Sequence, residues 1–362
     1  MPAGRGQNRP LPASLGPGAW SRQPRAAESQ VMADEQINDR AAGWSIGLAL
    51  AGIAAAMLFL ALSRPPQGSV WWAAVYGLGH APLFGIVALC ARVGAGALSG
   101  DRLSVPAQYG LAFLVTAALS GLSEAAQIGS ENRDADLGDA LRDVLGGAAC
   151  LLVAAGFEGV WRSGAARAAL VLAGISVMGA ILAPLGPLAW SYSMRKASLP
   201  VIADYTSQWQ QPLMRALRVD LAPIVAPETF TGRSGETVAR VRFRQAAWPG
   251  VDVVEPWPDW RGYSSLRFQV YAEQPAPKQL VLRIDDEQHD GTHRDRFNRS
   301  FDIHAGVNDI VVPLADIRRA PKGRELDLSR VDRVLLFSRR PEAAYELLIG
   351  PMTLNAEPGE EP

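Results

Sequence analysis

EAAQIGSENRDADLGDALRDVLG, residues 124–146, carries charge into an apolar run at helical spacing, and its reading decides the fold. Glu124 and Gln127 close one hydrophobic segment, and Arg133, Asp136, Asp139, Asp143 and Gly146 open the next. Successive helical residues turn by about 100°, so Asp136, Asp139, Asp143 and Gly146 share a stripe narrower than a right angle. A charged group at bilayer depth costs roughly 2.5–3.5 kcal/mol on insertion scales, so three carboxylates on one face should look into a bundle or a wet cavity.

Working outward, a spanning helix needs about 20 mostly apolar residues, and five segments meet that test: 44–62, 70–91, 107–127, 139–161 and 167–190. Ser63, Arg64, Pro65 and Pro66 break the first pair, and Gly100, Asp101 and Arg102 lie in the second connection. Trp71, Trp72, Trp161 and Trp190 fall near span ends, where interfacial anchors belong. Both cysteines, Cys90 and Cys150, sit inside apolar runs and read as small buried hydrophobes, not as a disulfide framework or metal clamp.

Residues 1–43 are rich in Pro, Gly, Arg and Ala without sustained periodicity, and are expected to form a disordered cytoplasmic tail. Met32 offers a second candidate start. Lys and Arg near the span ends set orientation. Arg25, Arg40, Arg92, Arg102, Arg162 and Arg167 outweigh Arg64, Arg133, Arg142, Arg195 and Lys196, which favours a cytoplasmic N-terminus in the inner (plasma) membrane. Five spans then put the C-terminal part, and the charged stripe, at the extracytoplasmic face. The net charge of −1, with no basic motif interleaved with aromatics, excludes a nucleic-acid partner. His80, in the outer half of the second span, joins the cluster by topology.

His80 on one span, Glu124-x-x-Gln127 ending the next, then Arg133-x-x-Asp136-x-x-Asp139-x-x-x-Asp143-x-x-Gly146 resembles the VanZ-like family, membrane proteins named after a member associated with teicoplanin resistance. The likeness covers 44–161. It departs from the family at Tyr76-Gly77, where an Asp-Lys pair is usual, and at Asp143, where Asn is usual. Arg133 is the natural counter-ion for the carboxylates, because a guanidinium binds a carboxylate through two parallel hydrogen bonds. Gly146 and Gly147 would let a neighbouring helix approach closely. Three readings stay open: a polar network tying helices together, a binding site for an envelope lipid headgroup or glycan precursor, and an enzyme using His80 and Glu124 or Asp139 as acid and base, with or without a divalent cation. Cofactors stay unassigned, and no His-Glu-x-x-His spacing marks a metal site.

From about residue 204 Arg, Asp and Glu become frequent and apolar residues alternate. Ala239, Val241 and Phe243 alternate with Arg240, Arg242 and Arg244, and the same period recurs in 266–270, 280–284, 301–303, 310–314 and 335–337. The expected fold is an α-helical membrane bundle of five transmembrane helices (44–190), a connecting segment (191–235), an all-β antiparallel sandwich of jelly-roll type (236–355) and a flexible tail (356–362). Trp260-Arg261-Gly262-Tyr263, Arg283-Ile284-Asp285-Asp286, Arg296-Phe297 and Gly306-Val307-Asn308, in that order, resemble galactose-binding-like jelly rolls of carbohydrate-binding modules. On that likeness Trp257, Trp260 and Tyr263 are candidates to stack on a sugar ring. Asp285, Asp286, His289, Asp290, His293 and Arg296 are candidates to hydrogen-bond hydroxyls. The same aromatics, beside Pro256 and Pro258, equally suit pinning a loop to the core, and 285–296 equally suits a solvated hairpin loop. The expected function is a VanZ-like envelope membrane protein whose extracytoplasmic domain binds a glycan or glycolipid, with membrane lipid as its other partner and a link to the envelope or glycopeptide-antibiotic response. An acid/base enzyme on an envelope lipid or glycan precursor, and a protein-interaction scaffold, are the alternatives.

Overall fold

The computed structural model describes residues 23–63, 66, 68–127 and 137–356. Arg133, Asp136, the termini 1–22 and 357–362 and the side chain of Gln127 lie outside the described residues. Among the described residues, five helices are long and apolar enough to cross a membrane. They are α1 (Gln23–Leu62, apolar over Asn38–Leu62), α2 (Val70–Ser99), α3 (Val105–Gln127), α4 (Leu137–Phe157) and α5 (Gly164–Leu182). α1 starts well before the expected span, so the expected structureless tail is helical over 23–43. That stretch is rich in Ala, Gln, Glu and Arg, which are strong helix formers, and Pro24 sits in the first turn where its missing N–H is harmless.

The chain divides into two compact units, one built from residues up to Leu62 with His80–Met178, the other from Ser63–Gly79 with Gly179 onward. In the first unit small residues set the helix spacing. A Cβ on Gly146 would stand 2.6 Å from the Cα of Ala81, and one on Gly147 would stand 2.7 Å from Thr116 Cγ2. Both glycines therefore permit the close approach expected of them. Cys90 and Cys150 are free, and their thiols face Gly52 and Gly85.

The second unit holds a short helix and the sandwich. The expected fifth span divides: α5 ends at Leu182, and α6 (Leu185–Ala197) carries Trp190 and then Arg195 and Lys196. Ala183-Pro184 breaks the apolar run, because a proline interior to a helix removes a hydrogen bond and clashes with the preceding turn, whereas Pro187 sits in the first turn of α6. Strand pairing begins inside the stretch read as a connection, with β1 (Val201–Ala203), β2 (Met214–Leu217) and β3 (Val219–Val225). Then follow β4 (Thr237–Phe243), β5 (Gly250–Val254), β6 (Ser265–Ala272), β7 (Leu280–Asp286), β8 (Phe297–Phe301) and β9 (Gly306–Pro313). After the single turn α7 (Leu314–Arg318) come β10 (Val331–Ser338), β11 (Tyr345–Ile349) and β12 (Met352–Asn355).

One sheet runs β1-β12-β6-β11-β4-β3 with β9 on β6, and the other runs β2-β5-β10-β7-β8. All pairs are antiparallel. Between the sheets Val241, Phe243, Trp260, Leu266, Leu282, Ile284, Leu336 and their neighbours form one core. Each such side chain contributes about 1.5–3 kcal/mol on burial. In β4, Ala239, Val241 and Phe243 are buried while Arg240 and Arg242 are exposed, as the alternation predicts.

Glu255, which follows β5 with a left-handed φ of 48°, ties the start of α2 to α6. Its carboxylate accepts from the Val70 N–H at 3.0 Å and from the Tyr192 hydroxyl, which itself accepts from the Trp71 N–H at 3.1 Å. Arg195 donates to the Glu255 carbonyl at 2.9 Å and lies 4.1 Å over the Tyr192 ring. Burial raises the Glu255 carboxyl above its usual range, opposed by the Val70 N–H and Ser69.

Candidate functional site

The helical unit brings His80, Glu124, Asp139 and Asp143 to one region. Asp143 is fully buried, with Oδ1 at 3.8 Å from His80 Nδ1 and Oδ2 at 3.3 Å from Ser120 Oγ. Thr116, Ser120 and Glu124 recur every fourth residue on α3 and are all buried, so they form one polar stripe. Asp139 pairs with Arg142 one turn on, at 2.5 Å. Ser120 and Thr116 were missed from sequence, although their spacing from Glu124 carries the signal.

In the sandwich, strand register assigns every side chain of the five-stranded sheet to a face. Met214, Val253, Val334, Ile284 and Phe297 form a lateral row in the core. The adjacent row on the opposite face reads Arg215, Asp252, Leu335, Arg283 and Asn298, one residue from each strand. Beside it Val254, Arg333 and Asp285 form a second outward row. Leu217, Gly250, Phe337, Val281 and Ser300 form the third. This outward face alternates cation and carboxylate. Arg283 holds Asp285 through Nε at 2.9 Å to each oxygen and Nη2 at 2.5 Å, and Arg333 Nε lies 3.2 Å from Asp252 Oδ1. Burial raises the Asp252 carboxyl above its ordinary range, opposed by Arg333, Arg215 and Arg283. At the third row Trp248 packs edge-on against Phe337, with ring centroids 5.8 Å apart, and is 47% exposed.

The residues expected to bind sugar divide. Trp260 is 0% exposed, lies in the core and donates Nε1–H to the Trp257 carbonyl at 2.8 Å, so its ring faces are covered by the sandwich. Trp257 is half-buried beneath Lys196, whose Nζ is 5.6 Å from its ring centroid, and Tyr263 packs half-buried against the core. These three pin the loop after β5. Asp285 faces the outward row, and Arg296 directly precedes β8. Asp286 points the other way: it is 1% exposed, accepts from Arg324 at 2.6 and 2.7 Å and takes the Asp327 N–H at 2.7 Å. His289, Asp290 and Asp295 place ligand atoms within 4.8 Å of one another, the one potential metal-holding group among the described residues. Two of the three are already engaged, however. Asp295 is bound by Arg324, and His289 contacts the Asp295 carbonyl at 2.8 Å and Arg283 Nη2 at 3.2 Å.

Trp248, Arg215, Asp252, Arg333 and Asn298 were not singled out from sequence. The one local signal was Asp252, a lone carboxylate inside Gly250-Val251-Asp252-Val253-Val254. An exposed ring beside a row of paired charged groups can cover an apolar sugar face while donating and accepting hydrogen bonds at its rim.

No family model matches the chain, and no curated protein matches it. Among solved structures, the family 11 carbohydrate-binding module from Clostridium thermocellum, in complex with a β-1,3-1,4-mixed-linked tetrasaccharide, is 12% identical. That match covers 40% of this chain and 84% of the module, with a TM-score of 0.31. A family 28 carbohydrate-binding module specific for non-crystalline cellulose is 10% identical over 44% of this chain and 94% of its own, with a TM-score of 0.31. An exo-β-agarase is 13% identical over 44% of this chain and 26% of its own, with a TM-score of 0.35.

Proposed function

We propose that this protein is a VanZ-like, multi-pass protein of a bacterial plasma membrane whose extracytoplasmic sandwich binds a glycan or glycolipid. The outward face of the five-stranded sheet supports the reading: Trp248 stands exposed beside a row in which the polar side chains Arg215, Asp252, Arg283 and Asn298 flank Leu335. The test is a glycan array probed with the full-length protein in lipid nanodiscs, alongside Trp248→Ala and Asp252→Asn. Binding by the parent protein that both variants lose is expected, and a parent protein that captures no glycan sinks the proposal. A reporter fused after Asn355 checks the orientation, since activity on the cytoplasmic side would invert it.

A second reading places acid/base chemistry on an envelope lipid or glycan precursor in the helical unit. The buried contact of Asp143 with His80 and Ser120, with Glu124 one turn from Ser120, favours it. Lipid mass spectrometry of cells carrying Glu124→Gln or Asp139→Asn, at normal protein levels, tests it. Unchanged lipids would leave the cluster a structural network.

A further inference from the structure

We infer that the saccharide held on the outward face of the five-stranded sheet carries an anionic group, a carboxylate, sulfate or phosphate; this rests on the glycan-binding reading above. Arg296 and Asn298 flank the core residue Phe297, and alternation along the strand turns both away from the core. Some of their polar atoms are unmet among the described residues. Arg296 Nε and both ends of the Asn298 amide are buried and lack a hydrogen-bond partner, and Arg296 makes no salt bridge among the described residues. A buried donor left without a partner is destabilising, so two such side chains on one strand edge mark a place built for something else to bind.

The charge balance there says what. Asn298 stands opposite Arg283 in the lateral row, and Asp285, the carboxylate that acts on Arg296, is already taken by Arg283. Burial and the nearby cations Arg283 and Arg339 hold the Arg296 guanidinium below its ordinary value, with Asp285 opposing. His293 is lowered likewise, by desolvation and then by Arg296, Arg339 and Arg283. Arg283, Arg296 and Arg339 thus gather on one corner of the sheet, where Asp285 is already paired with Arg283 and Asp252 lies against Arg333. A guanidinium binds an oxyanion through two parallel hydrogen bonds, and the Asn298 amide adds a donor beside it. A neutral hydroxyl meets the donors but leaves the mutual repulsion of the cations uncompensated.

The experiment measures affinity of the full-length protein in nanodiscs for saccharides in matched pairs: an oligogalacturonate and its methyl ester, and sulfated or phosphorylated sugars with their neutral parents. The acidic member should bind at least about tenfold tighter, as expected for hydrogen bonds to a charged group, and the margin should shrink as salt rises from about 50 to about 500 mM. Arg296→Gln and Asn298→Ala should each erase most of that margin with the melting temperature unchanged, since neither side chain has a partner to lose. Arg339→Gln, at an exposed position, supplies the same readout if Arg296→Gln fails to fold. Equal binding of acidic and neutral partners overturns the inference and leaves the glycan reading standing. Binding of neither overturns both.

Discussion

Replacing Arg324 by alanine removes the side-chain partner that a buried carboxylate has among the described residues. Asp286 is 1% exposed and takes hydrogen bonds from Arg324 Nη1 at 2.6 Å, Arg324 Nη2 at 2.7 Å and the Asp327 N–H at 2.7 Å. The same guanidinium reaches Asp295 at 2.5 Å through Nε. With Arg324 gone, Asp286 keeps one backbone donor and an uncompensated charge, a loss that costs about 3–5 kcal/mol when one member of a buried pair is removed. For a domain of this size each kcal/mol moves the melting temperature by about 2–4 °C, so the sandwich transition should fall by about 6–20 °C. Asp286→Asn removes the charge with the acceptor and should cost less. The double variant should be no worse than Arg324→Ala alone, because the stranded charge is what hurts. Thermal unfolding followed by tryptophan emission, with Trp260 as the buried reporter, measures all three. A fall of under about 2 °C for Arg324→Ala would refute the reasoning. So would an Asp286→Asn variant that melts normally and loses glycan binding, since that would make Asp286 a ligand-contacting group.

Trp248→Ala should lower glycan affinity by about tenfold with little change in melting, whereas Trp260→Ala should cost about 3–5 kcal/mol of sandwich stability; parallel titration and unfolding separate the two. Gly146→Ala should disrupt the α2–α4 approach, because the added Cβ meets the Ala81 backbone, and the loss should appear as reduced folded yield in detergent-based size exclusion. Acidity should act in two stages. Burial raises the carboxyls of Asp252, Glu255 and Asp332, so the folded state binds those protons more tightly, and stability grows as pH falls through their folded values towards about 4. Asp295, held low by Arg324, and Asp327, held low by Ser329, act oppositely, and their stabilisation is lost as pH falls below about 4. Melting temperature against pH should therefore rise on mild acidification and then collapse, and Asp252→Asn should flatten the rise.

The apolar spans were legible because lipid demands length and hydropathy, which a sequence displays directly. The span ending at Trp190 was misjudged where Ala183-Pro184 divides it, since the residues beyond stay apolar enough to hide the break. Strands with clean alternation, such as Thr237–Phe243, were readable. Met214–Leu217 and Gly250–Val254 were not: the first is short and without period, and the second is buried on every residue. That second strand is the one that supplies Asp252. The candidate site suffered for the same reason. Aromatics in a Pro-rich loop drew attention to Trp257, which lies half-buried beneath Lys196, and to Trp260, which the fold uses to close its core. Trp248, the exposed ring, has no neighbouring motif, and Arg215 lay in a stretch read as a connection. A sheet face is assembled by register between strands far apart in the chain, so no local window contains it.

The contact between Glu255 and the Val70 N–H has a consequence in time. Val70 opens α2, and the carboxylate that meets its N–H is translated 185 residues later. Domains fold from the N-terminal end during synthesis, so α2 forms while that donor is met only by solvent. Tyr192 and Arg195, which complete the arrangement, also emerge long after α2. The last third of the chain therefore finishes a helix that the first third began. A product halted before residue 255 would keep the five apolar helices and still lack this lock.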